Sequence, residues 1–64
     1  MTAARYRVTL LLDGRPVLRG WWGSEVVARS QFTDLVGEYG RPGARVTLTD
    51  EDTGRVLTEW PERA

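Results

Sequence analysis

The side chains that could do chemistry in this chain are few, and the two most versatile types are missing. The 64 residues contain no His and no Cys, which removes the commonest general acid–base and the usual ligands of a structural zinc ion. The hydroxyls of Ser24 and Ser30 would need an activating base to act as nucleophiles, and the sequence offers no suitable one. We therefore predict a protein that is not an enzyme and that has no catalytic residue, metal or cofactor.

Two short motifs resemble ligand-binding loops, and the sequence around each favours a structural role. Asp50-Glu51-Asp52 gathers three carboxylates, but a calcium site needs further oxygen ligands and the EF-hand spacing is absent. We expect a solvated turn. Gly40-Arg41-Pro42-Gly43 has the G-x-x-G pattern of KH modules, in which the loop joins two helices. Here it would join a helix to a strand, so we expect no nucleic-acid clamp.

Arginine and tryptophan are the remaining candidates for binding. All nine basic residues are Arg, and nine acidic residues balance them. The absence of Lys fits both a GC-rich genome and selection for bidentate contacts to phosphate or carboxylate, but the balanced charge argues against the basic face of a nucleic-acid-binding domain. Three Trp residues are difficult to place in one small core, and Trp is enriched at protein interfaces. They point to a docking surface.

The secondary-structure elements that position these residues are predicted by a sequence pattern that occurs twice in the chain. Arg7-Val8-Thr9-Leu10 leads into Asp13-Gly14-Arg15, and Arg45-Val46-Thr47-Leu48 leads into Thr53-Gly54-Arg55. Each copy reads as strand, turn and strand, because Asp-Gly after an aliphatic run is a strong hairpin signal. A segment with helical periodicity lies between the copies. The repeat predicts an α+β fold of the ββαββ type, with one helix packed on a four-stranded sheet.

The boundaries of these elements follow from turn and capping residues. Ser24 is placed to cap the helix, Gly40 to end it as the C′ residue, and Pro42 to prevent its continuation. Gly37 within the helix costs about 1 kcal/mol relative to Ala, and close packing on the sheet would explain it. The predicted strands are Tyr6–Leu12, Val17–Trp22, Arg45–Thr49 and Arg55–Trp60.

The size of the chain predicts one domain over residues 1–64, with residues 1–4 and 62–64 frayed. Such a chain buries only about 60% of the surface that its unfolded form exposes, and small domains usually gain stability from a disulfide, a metal or a partner chain. A partner chain is the option left here, so we expect a homo-oligomer. No segment is apolar enough to span a membrane and the N-terminus lacks a signal core. We expect a cytoplasmic protein that does not bind membranes.

The parity of the first turn decides which sheet face the helix covers, because a slip of one residue exchanges the faces. A turn with an odd number of residues puts Tyr6 with Trp22 in the core. A two-residue turn puts Tyr6 with Trp21 instead, and the sequence leaves both open. With an odd turn, the uncovered face includes Val17, Arg19, Trp21, Val56, Thr58 and Trp60.

The layout resembles the immunoglobulin-binding domain of streptococcal protein G. The similar features are the opening Met1-Thr2, the Tyr6-Arg7-Val8 strand, the Asp13-Gly14-Arg15 turn, a helix ending near Tyr39 and the acidic turn Asp50-Glu51-Asp52-Thr53. The resemblance implies a mixed sheet in the order 2-1-4-3, with the first and last strands adjacent and parallel. It does not carry over the binding activity, because Trp residues replace that domain's solvated face. The chain also resembles small actinobacterial proteins in its general composition.

Together these observations predict a non-catalytic protein–protein interaction module that self-associates through the open sheet face or an edge strand. The residues expected to bind the partner are Trp21, Trp60, Val17, Val56 and Arg19. The alternative is a small accessory nucleic-acid-binding protein, in which bases stack on the sheet tryptophans beside Arg7, Arg19 and Arg45.

Overall fold

The computed structural model describes residues 4–61 and has the predicted order of elements. They are β1 (Tyr6–Leu12), β2 (Arg15–Trp22), α1 (Glu25–Tyr39), β3 (Ala44–Asp50) and β4 (Arg55–Trp60). The α+β class and the ββαββ layout are confirmed. Of the predicted frayed ends, residues 1–3 and 62–64 lie outside the described part of the chain.

The strands form one antiparallel sheet in the order β2-β1-β3-β4. β1 pairs with β3 along its whole length, from Tyr6 opposite Asp50 to Leu12 opposite Ala44. The mixed sheet in the order 2-1-4-3 is therefore wrong, and the resemblance to protein G is limited to the order of elements. The physical reason is burial: β3 contains the fully buried Val46 and Leu48, whereas β4 is followed directly by Pro61, which suits an edge.

A β-bulge in β2 decides which face of the first hairpin is buried. Asp13 and Gly14 both have positive φ angles (52° and 82°), as a two-residue type I′ turn requires. That turn alone would put Trp21 with Tyr6. The bulge beside Leu10 and Leu11 adds Val17 to β2, so Tyr6 pairs with Trp22. The core expected from an odd turn therefore forms, and the bulge supplies the extra residue.

A second bulge in β4 reverses the facing of its last residues. The register shifts between Leu48 and Thr49, so that Thr58 lies opposite Leu48 and Trp60 opposite Val46. Because directly opposite residues share a face, Thr58 and Trp60 lie on the helix side of the sheet. Their predicted position on the uncovered face is wrong, because the bulge adds Leu57 to the strand. Leu57 itself packs against the core.

The core lies between α1 and the two central strands. Its buried members are Val8, Leu10, Ala28, Leu35, Val46 and Leu48, with Phe32, Val36 and Tyr39 of the helix packed around them. Ser24 caps the helix as predicted, since its Oγ accepts a hydrogen bond from the Val27 amide at 3.3 Å. Gly40 ends the helix in an extended conformation (φ −65°, ψ 102°), and its amide donates to the Val36 carbonyl.

Two glycines give opposite expectations for the same substitution. The indole of Trp22 lies over Gly20, where a Cβ atom would be 2.8 Å from Trp22 Cζ3. Gly20→Ala should therefore lower the free energy of unfolding by about 1–3 kcal/mol through overpacking. Nothing lies within 4 Å of the Cβ position at Gly37, so close packing on the sheet does not explain this glycine. Gly37→Ala should raise the free energy of unfolding by about 1 kcal/mol through helix propensity.

Urea denaturation of the two variants beside the wild type measures both effects. A neutral Gly20→Ala variant would contradict the position of the Trp22 ring, and a destabilised Gly37→Ala variant would contradict the exposure of that helix position.

Candidate functional site

The sheet face away from α1, called the open face below, follows directly from the strand register. Cross-strand partners share a face, and Val8 and Leu10 of β1 point to the helix, so Arg7, Thr9 and Leu11 lie on the open face. Reading across the sheet from β2 to β4, the top row is Trp21, Arg7, Thr49 and Val56; the middle row is Arg19, Thr9, Thr47 and Glu59; and the lower row is Pro16, Leu11 and Arg45.

Acidic side chains neutralise two of the three arginines in these rows. Glu51 Oε1 lies 3.4 Å from Arg7 Nη1 and accepts a hydrogen bond from Trp21 Nε1 at 3.2 Å. Arg45 pairs with Glu59. Within residues 4–61, Arg19 makes no ion pair. Arg19 is therefore the basic group of this face whose charge is not already matched.

Exposed large apolar side chains lie on β2, at the start of α1 (Val26 and Val27) and on β4 (Val56). Val17, Leu18 and Trp21 are 55%, 40% and 47% exposed, because β2 is an edge strand and α1 packs mainly on β1 and β3. An open groove of about 340 Å³ runs along this strand, lined by Pro16, Val17, Leu18, Arg19 and Trp21. This groove and the open face beside it form one continuous surface.

The five residues predicted to bind a partner are only partly brought together. Val17, Arg19 and Trp21 line the same groove. Val56 is 50% exposed on the open face, but it lies on the opposite edge strand, about 14 Å away across three strand spacings. Trp60 lies on the helix face, with its ring 3.3 Å from the Cβ position of Gly40.

Sequence reasoning missed Leu18 and Glu51 as parts of this surface. Leu18 shares the helix face with Leu10, but at the sheet edge it stays exposed. Pro16 was the available signal, because proline is confined to edges or strand starts. Glu51 had no such signal, since its contact with Arg7 depends on the pairing of β1 with β3.

The acidic turn after β3 is more than a solvated loop. The buried carboxylate of Asp50 accepts hydrogen bonds from Arg5 Nε at 2.8 Å and Arg5 Nη2 at 2.7 Å, and a third from the Asp52 amide at 3.0 Å. Arg5 also lies 3.4 Å from Asp52 Oδ2. The guanidinium of Arg5 holds the pKa of Asp50 below its usual value. This pair ties the chain before β1 to the turn between β3 and β4.

Comparisons with protein-family models, with curated proteins and with solved structures find no match for this chain. Its function must therefore be inferred from its own residues. In the described range 4–61, no group of three His, Cys, Asp or Glu side chains is arranged to hold a metal ion. No helix among the same residues combines the length and the apolar character needed to cross a membrane.

The Arg5–Asp50 pair gives a pH dependence of stability with a definite sign. Because the pKa of Asp50 is lowered in the folded state, its contribution to stability is complete above the ordinary Asp pKa of about 3.9 and is lost as the pH falls through the lower folded value. Asp50→Asn should therefore destabilise the protein at neutral pH, and the difference from the wild type should shrink below about pH 4.

Denaturation curves between pH 7 and pH 2 (a range set by the titration of Asp, about 3.9) test this expectation. Asp34→Asn is the matched control, because Asp34 is an exposed carboxylate of α1 that makes no ion pair within residues 4–61. A destabilisation by Asp50→Asn that stays constant over the whole pH range would contradict the role of this ion pair.

Proposed function

We propose that the protein is a non-catalytic protein–protein interaction module that self-associates through its open face. The observation that carries the proposal is the indole of Trp21, which is about half exposed on the face that no helix covers. A large rigid aromatic with a polar N–H is the kind of side chain that dominates interface energetics. The hydrogen bond from Trp21 to Glu51 holds the ring in place, which lowers the entropy lost when a partner binds.

The sheet edges are poor docking sites by comparison, which favours the open face. Pro16, the second residue of β2, lies next to the bulge of that strand, and β4 has its own bulge and is followed by Pro61. Bulges and edge prolines interrupt the row of free backbone donors and acceptors that an added strand would need. Of the two routes to self-association expected from the sequence, these features support the face over the edge.

The same contacts weaken the case for nucleic-acid binding. A platform for single strands combines several stacking aromatics with unpaired basic groups. On the described open face, Trp21 is the only tryptophan, and two arginines are matched by Glu51 and Glu59. A protein surface of mixed charge fits this pattern better than a polyanion.

Two tryptophan substitutions separate association from folding. Trp21→Ala should weaken self-association at least about tenfold, which is about 1.4 kcal/mol, and should change the free energy of unfolding little. Trp60→Ala should do the reverse, because Trp60 packs on the helix face beside Gly40 and its truncation leaves a cavity.

Sedimentation velocity over a concentration series measures association, and urea denaturation of dilute samples measures folding. The proposal fails if the wild type is monomeric at every concentration. Its assignment to Trp21 fails if Trp21→Ala associates as strongly as the wild type.

A further inference from the structure

We propose that the occupant of the open face is a second copy of this chain, related by a two-fold axis that runs parallel to the strands between β1 and β3. This inference rests on the proposed function and adds its geometry. Each Arg19 then contacts Glu59 of the partner subunit, and each Trp21 contacts Val56 of the partner subunit.

The geometry follows from how a two-fold axis acts on a flat array of rows. For two sheets packed face to face, the axis must lie in the plane between them, and the interface is isologous. An axis parallel to the strands stacks β2 on β4 of the partner subunit and β1 on its β3, while each row stays opposite the same row. The two ends of every row are therefore brought together.

The middle row carries the charge complementarity that selects this axis. Arg19 stands at its β2 end and makes no ion pair within residues 4–61, and Glu59, which also pairs with Arg45 of its own chain, stands at its β4 end. The axis parallel to the strands brings these opposite charges together twice. An axis perpendicular to the strands through this row would instead stack Arg19 on Arg19 of the partner subunit, and such like-charge contacts oppose association.

The top row supplies the apolar contacts of the same arrangement. Trp21 and Val56 are its two ends, and both are about half exposed. The axis that pairs the charges also seats each indole against the valine of the other copy. Thr9 and Thr47 fill the centre of the middle row, and their short side chains allow the sheets to approach to the usual spacing of about 10 Å.

The size of the face predicts the strength of this dimer. Four strands at about 4.8 Å spacing and about six residues at 3.3 Å give a face of roughly 400 Å² on each copy. Even with the added relief of the side chains, this is at the small end of specific interfaces, where weak and transient contacts are found. The dimer should therefore form with a dissociation constant in the micromolar range or above.

Mixing two charge-reversed variants tests the arrangement. In Arg19→Glu homodimers both contacts become Glu against Glu, and in Glu59→Arg homodimers both become Arg against Arg. Each variant alone should self-associate at least about tenfold more weakly than the wild type, equivalent to about 1.4 kcal/mol. An equimolar mixture should recover wild-type association as a heterodimer, because both contacts then join Glu to Arg. Sedimentation velocity and native mass spectrometry detect it.

Two further variants keep the test decisive. Glu59→Arg also removes the ion-pair partner of Arg45. If that single variant does not fold, the double variant Arg45→Glu/Glu59→Arg is used in its place, because it keeps the ion pair with reversed polarity. The matched control is the mixture of Glu25→Arg and Arg29→Glu, which reverses the exposed pair on α1. These two control variants should dimerise like the wild type, both separately and mixed.

The outcomes separate this geometry from the proposed function. Recovery of dimer only in the Arg19→Glu and Glu59→Arg mixture supports the two-fold arrangement. A wild-type dimer without recovery in the mixture overturns the arrangement and leaves self-association standing. A wild type that stays monomeric up to about 1 mM, above the range of weak specific interfaces, overturns both, and the open face then serves another protein or a nucleic acid.

Discussion

The side-by-side pairing of β1 with β3 is the constraint on which the other features of the structure depend. The largest fully buried side chains, Val8, Leu10, Val46 and Leu48, all come from these two strands. Burial of each of these side chains contributes roughly 1.5–3 kcal/mol. The helix α1 packs mainly on this pair of strands. With the centre of the sheet occupied in this way, β2 and β4 must be edges. The exposure of Trp21 and Val56 is a direct result.

The two bulges act on top of this pairing, and they distribute the aromatic residues between the faces. Without the extra Val17, Trp22 would leave the core and Trp21 would enter it; without the extra Leu57, Trp60 would move to the open face. Each bulge therefore moves the residues at one end of its strand to the opposite face of the sheet. Both lie in edge strands, where they also limit pairing with other chains. The bulges thus determine which residues enter the core, and they leave the open face rather than the strand edges available for contact with a partner.

Local signals were sufficient for the elements and insufficient for their arrangement. The Ser24 cap, the Asp13-Gly14 turn and the buried stripe of the helix depend on residues close in sequence, and each is readable from the chain. The strand order depends on whether β3 or β4 lies beside β1. The aliphatic residues of β3 and of β4 would each suit that central position, so the sequence does not distinguish the two orders. The contacts that accompany the choice, such as Arg5 with Asp50, join residues far apart in sequence. The facing of Trp60 was missed for a related reason, because a bulge leaves no local mark at Leu57.

The proposed dimer would also cover the sheet face that the helix leaves exposed. A sheet has two faces, and residues 4–61 contain a single helix, which covers one of them. Two copies packed on their open faces would form four layers, helix, sheet, sheet and helix, in which each sheet shields the other. Binding that occurs only in the folded state stabilises that state by mass action. In a small domain without cysteines to cross-link, the proposed second copy would supply a further stabilising layer.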